Sequence, residues 1–210
     1  MKRRSVGWAK EASYGTEFVE ATLLPDAMSA SGVAIGGDPV PYRLDYALET
    51  GSGFVTTRLA LTTRGEGWRR SLELRREGSG EWTAATSAEG EPPVPLPEPG
   101  GALDRLAGAL DCDLALSPLT NTMPVLRHGL LREGGPAGFL MAWVSVPGLG
   151  VHPSQQRYTA VRDLDGGHRL IRYESLDSPF SADLTFDPDG LVVEYPGIGR
   201  RLGGPGPSPR

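Results

Sequence analysis

Tyr42-Arg43-Leu44-Asp45-Tyr46-Ala47-Leu48-Glu49 decides the fold class. Tyr42, Leu44, Tyr46 and Leu48 fall on one face of an extended chain, and Arg43, Asp45, Ala47 and Glu49 on the other. A period of two is that of a strand with one side in a core and one in water. The pattern recurs. Val55, Thr57, Leu59 and Leu61 alternate with Phe54, Thr56, Arg58 and Ala60, and Trp68, Arg70, Leu72 and Leu74 oppose Arg69, Ser71, Glu73 and Arg75. Near the end, Phe180, Ala182, Leu184 and Phe186 share a face, and Leu191, Val193 and Tyr195 follow.

Turn signals separate these runs: Gly51-Ser52-Gly53, Gly65-Glu66-Gly67, Gly78-Ser79-Gly80, Asp165-Gly166-Gly167 and Asp187-Pro188-Asp189-Gly190. About a dozen or more short strands at regular spacing predict an all-β fold, a single antiparallel β-roll or open barrel with little or no helix. The one helical candidate, Leu103 to Leu110, is short and interrupted by glycine.

The chain's 210 residues suit one domain, placed at 1–202, with a Gly/Pro/Ser tail at 203–210 expected to be disordered. Residues 87–101 carry five prolines and are expected as a surface loop or a strap across the fold. A net charge of -5 argues against nucleic acid as a partner, which calls for a basic face. The lone Cys112 excludes an internal disulfide and suits a reducing compartment. Basic residues open the chain without a following apolar run, and no stretch has the length of a transmembrane helix, so a cytoplasmic location is expected.

Ser117-Pro118-Leu119-Thr120-Asn121-Thr122-Met123-Pro124 stands apart. Each proline fixes its own φ and biases its predecessor toward extended geometry, which predicts a stiff, kinked connection rather than a helix. Thr120, Asn121 and Thr122 bring hydrogen-bonding groups without charge. They serve either to cross-brace the fold or to read a hydroxyl-rich ligand. A second unusual stretch is Phe139 to Val146, apolar on both faces: Phe139, Met141 and Trp143 point one way, Leu140, Ala142, Val144 and Val146 the other. Such a strand lies between two layers or borders an apolar cavity.

Familiar catalytic and metal constellations are absent. His128, His152 and His168 are scattered, no G-x-S-x-G elbow or phosphate loop occurs, and no metal or cofactor is called for. Asp187-Pro188-Asp189-Gly190 has Ile198 where a calcium loop would close on glutamate, so a hairpin turn is expected. In Gln155-Gln156-Arg157-Tyr158-Thr159, Gln156 and Tyr158 share one face and Arg157 and Thr159 the other. Arg172-Tyr173-Glu174-Ser175 repeats the arginine–tyrosine pairing. An inward arginine needs an acceptor, either a carboxylate such as Asp113 or Glu17 or a ligand group, whereas an outward one lies in solvent beside its tyrosine.

Taken in order, these segments resemble the bacterial family described as "putative glycolipid-binding". The resemblance covers nearly the whole chain. It runs through Trp8 with Gly15-Thr16-Glu17, then Tyr42-Arg43-Leu44-Asp45-Tyr46, then Asp111-Cys112-Asp113-Leu114 leading into Ser117 to Val125. Gln156-Arg157-Tyr158-Thr159, Tyr173-Glu174-Ser175 and Asp187 to Gly197 complete it. Ser117 stands where threonine is expected, the proline-rich loop is longer, and the tail is extra. The resemblance implies a spiralled β-roll similar to periplasmic lipoprotein carriers, with a concave surface suited to a lipid or glycolipid.

Three functions follow as expectations. The first is non-enzymatic binding of an amphiphile. Phe139, Met141, Trp143 and the Tyr42–Leu48 strand would take its apolar part, while Thr120, Asn121, Thr122, Gln156, Arg157 and Tyr158, together with Asp113, Glu17 and Tyr173, would surround its polar head. The second is an enzyme acting on a sugar or lipid, with Asp113, Glu17 or Glu174 as acid or base. The third is a scaffold that binds protein through an exposed apolar patch.

Overall fold

The computed structural model describes residues 1–11, 14–132 and 134–203. Seven strands form the first half: β1 (Lys2–Lys10), β2 (Gly15–Leu23), β3 (Met28–Gly36), β4 (Tyr42–Thr50), β5 (Thr56–Gly65), β6 (Trp68–Arg76) and β7 (Trp82–Glu89). The short β8 (Gly100–Gly101) and β9 (Asp111–Leu114) follow, then the helix α1 (Thr122–Arg127). The chain closes with β10 (Ala137–Val144), β11 (Gly150–Asp163), β12 (Arg169–Ser175), β13 (Ser181–Phe186), β14 (Val192–Tyr195) and β15 (Gly199–Arg201).

All fifteen strands belong to one sheet, ordered β7-β6-β5-β4-β3-β2-β1-β15-β14-β13-β12-β11-β10-β9, with β8 laid against β11. The β1–β15 pairing joins the two meanders, and the ends β7 and β9 do not pair with each other. The fold is therefore an open, all-β roll. Two pairings, β9–β10 and β8–β11, are parallel, a departure from the wholly antiparallel roll expected.

The segment between β8 and β10 fills the hollow of the roll. Leu106, Cys112, Leu114, Leu119 and Met123 are buried in the same cluster as Leu44, Leu48, Leu59 and Leu72. Burying each such side chain contributes roughly 1.5–3 kcal/mol. Polar contacts tie this plug to the inner face: the Cys112 amide donates to the Thr56 hydroxyl at 3.1 Å, and the Trp82 indole to the Ala109 carbonyl at 3.2 Å. Strand β10 divides the core in two, with Leu140, Ala142 and Val144 toward this cluster and Phe139 and Met141 toward a second built on Tyr158, Ile171, Leu184 and Phe186. Its apolar faces are thus explained by two layers, and the end of one face also borders a cavity.

The alternation of β4 and β6 is observed: Tyr42, Leu44, Tyr46 and Leu48 are buried, as are Trp68, Arg70, Leu72 and Leu74. Tyr42 and Tyr46 lie over Gly36 and Gly32 of β3, where an added Cβ would stand 2.5 and 2.3 Å from the rings. They are core residues, and they do not line the cavity described below. In β5, Leu59 and Leu61 are buried as expected, and the phase departs only at the start of the strand. A register shift between Glu49 and Thr50 places Thr56 inside and Thr57 in solvent.

The 117–124 segment is also corrected. Leu119–Asn121 is a 3-10 turn that runs directly into α1. Pro124 is tolerated in the first turn, where amides have little or no intrahelical partner to lose. Leu103–Leu106 forms only a 3-10 turn. Residues 87–101 continue β7 as far as Glu89 and then act as a strap, with Val94 and Leu96 packed on the core and the Pro97 carbonyl accepting from Arg70 at 2.8 Å. The tail expected to be disordered lies, from residue 204 on, outside the described residues.

Candidate functional site

Register assembles the site. The parallel β9–β10 pair sets Asp113 beside Trp143 and Asp111 beside Met141. Across β10–β11, Phe139 opposes Gln156, and across β11–β12, Tyr158 opposes Tyr173. Because side chains alternate with period two, Asp113, Trp143, Gln156, Tyr158 and Tyr173 emerge on a single face of the sheet. Arg157 pairs with Glu174 on the other face, in two hydrogen bonds of 2.8 and 2.7 Å. Arg157 thus lies on the face opposite Gln156 and Tyr158, one residue out of phase with them.

The turn after β9 folds over this face and encloses a cavity of about 240 Å³. Trp143 of β10 stands on one flank, and Tyr173, Phe180 and Tyr195 on the other. Leu116, Ser117 and Asn121 contribute from the turn, and Asp113 is the charged residue on the wall. Tyr173, Phe180 and Tyr195 form a mutual cluster with ring centroids 5.9, 5.9 and 6.4 Å apart. Larger depressions exist elsewhere. One of about 490 Å³ lies over the outer face of β4–β7, and another of the same size sits between Phe54, Leu126 and Leu131. Neither gathers the polar set found here.

Beneath the cavity the polar groups are interlocked. Gln156, fully buried, donates its amide to Asp113 Oδ2 at 2.7 Å. Thr120 donates to Asp113 Oδ1 at 2.8 Å. Tyr158 donates its hydroxyl to Asn121 Oδ1 at 2.7 Å, and the Asn121 amide donates to the Pro118 carbonyl at 3.2 Å. Burial pushes the Asp113 carboxyl above the usual carboxylate range, the bonds from Gln156 and Thr120 pull it partly back, and Asp111 adds to the rise. Burial likewise drives the Tyr158 phenol well up, so it remains a donor.

Glu17 sits behind this layer, not on it. It is 1% exposed, and its Oε1 accepts from Tyr46 at 2.5 Å and from Ser117 at 2.6 Å. Its Oε2 is buried without a partner. Burial raises its pKa, with Lys10, Ser117 and Tyr46 opposing. The Lys10 ammonium in turn donates to the Leu116 carbonyl at 2.6 Å, and Leu116 holds a left-handed φ of 62°. For a leucine that conformation costs roughly 1–2 kcal/mol, and backbone strain of this kind gathers at functional sites.

Of the ten residues singled out from sequence, Asp113, Asn121, Trp143 and Tyr173 line the cavity. Thr120, Gln156 and Tyr158 hold those residues by hydrogen bonds, and Glu17 touches the site through Ser117. Thr122 is buried, with its hydroxyl unpartnered, and lies off the cavity wall. Sequence reasoning missed Leu116, Ser117, Phe180 and Tyr195. Tyr195 lies in β14 and Phe180 just ahead of β13, and both fell on the apolar phase of the expected strands, which was the available signal.

The geometry bears on chemistry. Acid–base catalysis calls for two titratable groups in one cavity. Asp113 is there, Glu17 lies behind Ser117, and Glu174 is on the outer face with Arg157. Cys112 is fully buried in the core, with its thiol pushed to about 12, and stays protonated. Among the described residues no group of three or more His, Cys, Asp or Glu could hold a metal ion, and no helix is long and apolar enough to cross a membrane.

A family model described as "putative glycolipid-binding" matches residues 5–201. Among solved structures, the chain is similar to a DUF1089 family protein from Pseudomonas aeruginosa, with 32% identity and a TM-score of 0.66 over 89% of this chain and 92% of that one. No curated protein matches the chain.

Proposed function

Because the chain belongs to the putative glycolipid-binding family, we propose that it is a non-enzymatic binder of an amphiphile of the glycolipid or lipid-precursor class, held at the cavity under residues 115–121. One observation carries the reading. Asp113, Ser117 and Asn121 open onto the same cavity as Trp143, Tyr173, Phe180 and Tyr195. Polar groups that fix orientation, set among apolar and aromatic walls, are the usual composition of a small-molecule site. At about 240 Å³ the cavity suits one head group rather than a whole lipid. The half-exposed Phe180 on its aromatic flank offers the apolar chain a path outward.

Thr120, Gln156 and Tyr158 serve here as the frame that positions Asp113 and Asn121, not as contacts. With a single buried cysteine, the chain is proposed to meet its ligand in the cytoplasm.

Native mass spectrometry of the protein purified from its host tests the reading. The expected result is an adduct of lipid mass, diminished in Asn121→Ala while the folded spectrum is unchanged. Bare protein throughout, or an adduct indifferent to this substitution, would overturn it.

A further inference from the structure

We propose that the head group recognised at this cavity carries an ammonium cation, seated between Asp113 and the aromatic walls. The proposal rests on the amphiphile reading for the ligand's chain and adds the charge of its head.

The first observation is a missing partner. Asp113 is the charged residue on the cavity wall, and among the described residues no lysine, arginine or histidine pairs with it. Two other sequestered acids are answered by cations, Asp111 by Arg127 and Asp187 by Arg201 and Arg4, while Glu17, off the cavity wall, is held by Tyr46 and Ser117. A carboxylate withdrawn from water without a counter-charge is costly, so it calls for a partner. Gln156 and Thr120 each supply one neutral bond, one per oxygen. A carboxylate accepts about four, which leaves lone pairs for a ligand.

The second observation is independent of the first. Four rings, Trp143, Tyr173, Phe180 and Tyr195, border the same cavity. Ring faces attract cations through their quadrupole, and a cage of rings beside a carboxylate is the arrangement that takes alkylated or primary ammonium. An anionic head would be repelled by Asp113. A neutral sugar could stack, but would leave the carboxylate without a counter-charge.

An ammonium head could be an amino sugar or a choline-type group, and a probe panel separates them. Titration calorimetry would compare octyl glucoside, octyl glucosaminide, octylphosphocholine and chain-free tetramethylammonium on wild type, Asp113→Asn and Trp143→Leu. The amide in Asp113→Asn keeps the shape and one of the two acceptor oxygens while removing the charge, and its thermal melt checks the fold. The expected result is that at least one ammonium amphiphile binds about tenfold tighter than octyl glucoside, with the advantage lost in both variants. Glucosaminide leading identifies an amino sugar, and phosphocholine leading a choline-type head. Octyl glucoside binding as tightly as the cationic probes overturns the ammonium proposal and leaves amphiphile binding standing. An Asp113-dependent affinity for tetramethylammonium, with no gain from any octyl chain, supports the ammonium site and removes the amphiphile reading. Failure of all four probes overturns both.

Discussion

Gln156 Nε2 donates to Asp113 Oδ2 at 2.7 Å, so a fully buried amide on β11 holds the one carboxylate on the cavity wall. That bond is made to the charged form and opposes the upward push of burial on Asp113. Removing it in Gln156→Leu is expected to raise the Asp113 pKa further and to weaken ligand binding by about tenfold. Carbon-detected NMR of the Asp113 carboxyl through a pH titration checks the first part. A midpoint that is unmoved or lower would show that Gln156 does not position the charge.

Glu17 has its pKa raised by burial above the reference value of 4.5. Its folded form therefore holds a proton more tightly than its unfolded form, and stability declines as pH rises past 4.5 through the folded midpoint. Glu17→Gln escapes that loss while keeping an acceptor for Tyr46 and Ser117. Its melting temperature should match wild type below pH 4.5 and exceed it by a few degrees at neutral pH. A gain of equal size at every pH, or a loss at neutral pH, would contradict this.

Asp187 behaves in the opposite sense. Burial pushes its carboxyl up, but Arg201, the Leu191 amide and Arg4 more than offset this and hold it below the reference 3.8. Its contribution is present above that value and is lost as pH falls through the folded midpoint. Asp187→Asn should cost about 2–3 kcal/mol in urea unfolding at pH 7, because Arg201 then lacks its charge partner. The difference from wild type should shrink below pH 3.8. A constant difference across that range would assign the loss to turn geometry instead.

Arg157→Ala serves as the contrast. Its guanidinium pairs with Glu174 on the outer face, where both are in contact with solvent. Ligand affinity and melting temperature are both expected to stay at wild-type values, since exposed ion pairs contribute little. A fall in affinity would bring the outer face into the site.

Much of the roll was legible because alternation is a local property: Tyr42 to Leu48 and Trp68 to Leu74 declare their buried faces without reference to any neighbour. Parity across a strand pair is not local. The register shift at Glu49/Thr50 exchanged Thr56 for Thr57, and only the pairing of β11 with β12 shows that Arg157 and Glu174 face outward while Tyr158 and Tyr173 face in. Helix α1 was hidden by Pro118 and Pro124, whose local preferences were outweighed by burial of Leu119, Met123 and Val125 in the hollow of the roll. Asp113, Asn121 and Trp143 were found from sequence because polar or two-faced residues in an apolar setting demand an explanation. Phe180 and Tyr195 looked like ordinary core aromatics, and only the open side of the cavity sets them apart.

The most direct measurement is intermolecular NOE spectroscopy on the protein with octyl glucosaminide, using aromatic-selective labelling. Cross-peaks from head-group protons to the Trp143 indole and the Tyr195 ring are the expected result. Contacts confined to Phe18, the exposed aromatic on the outer face of β2, would contradict placement of the head group in the cavity.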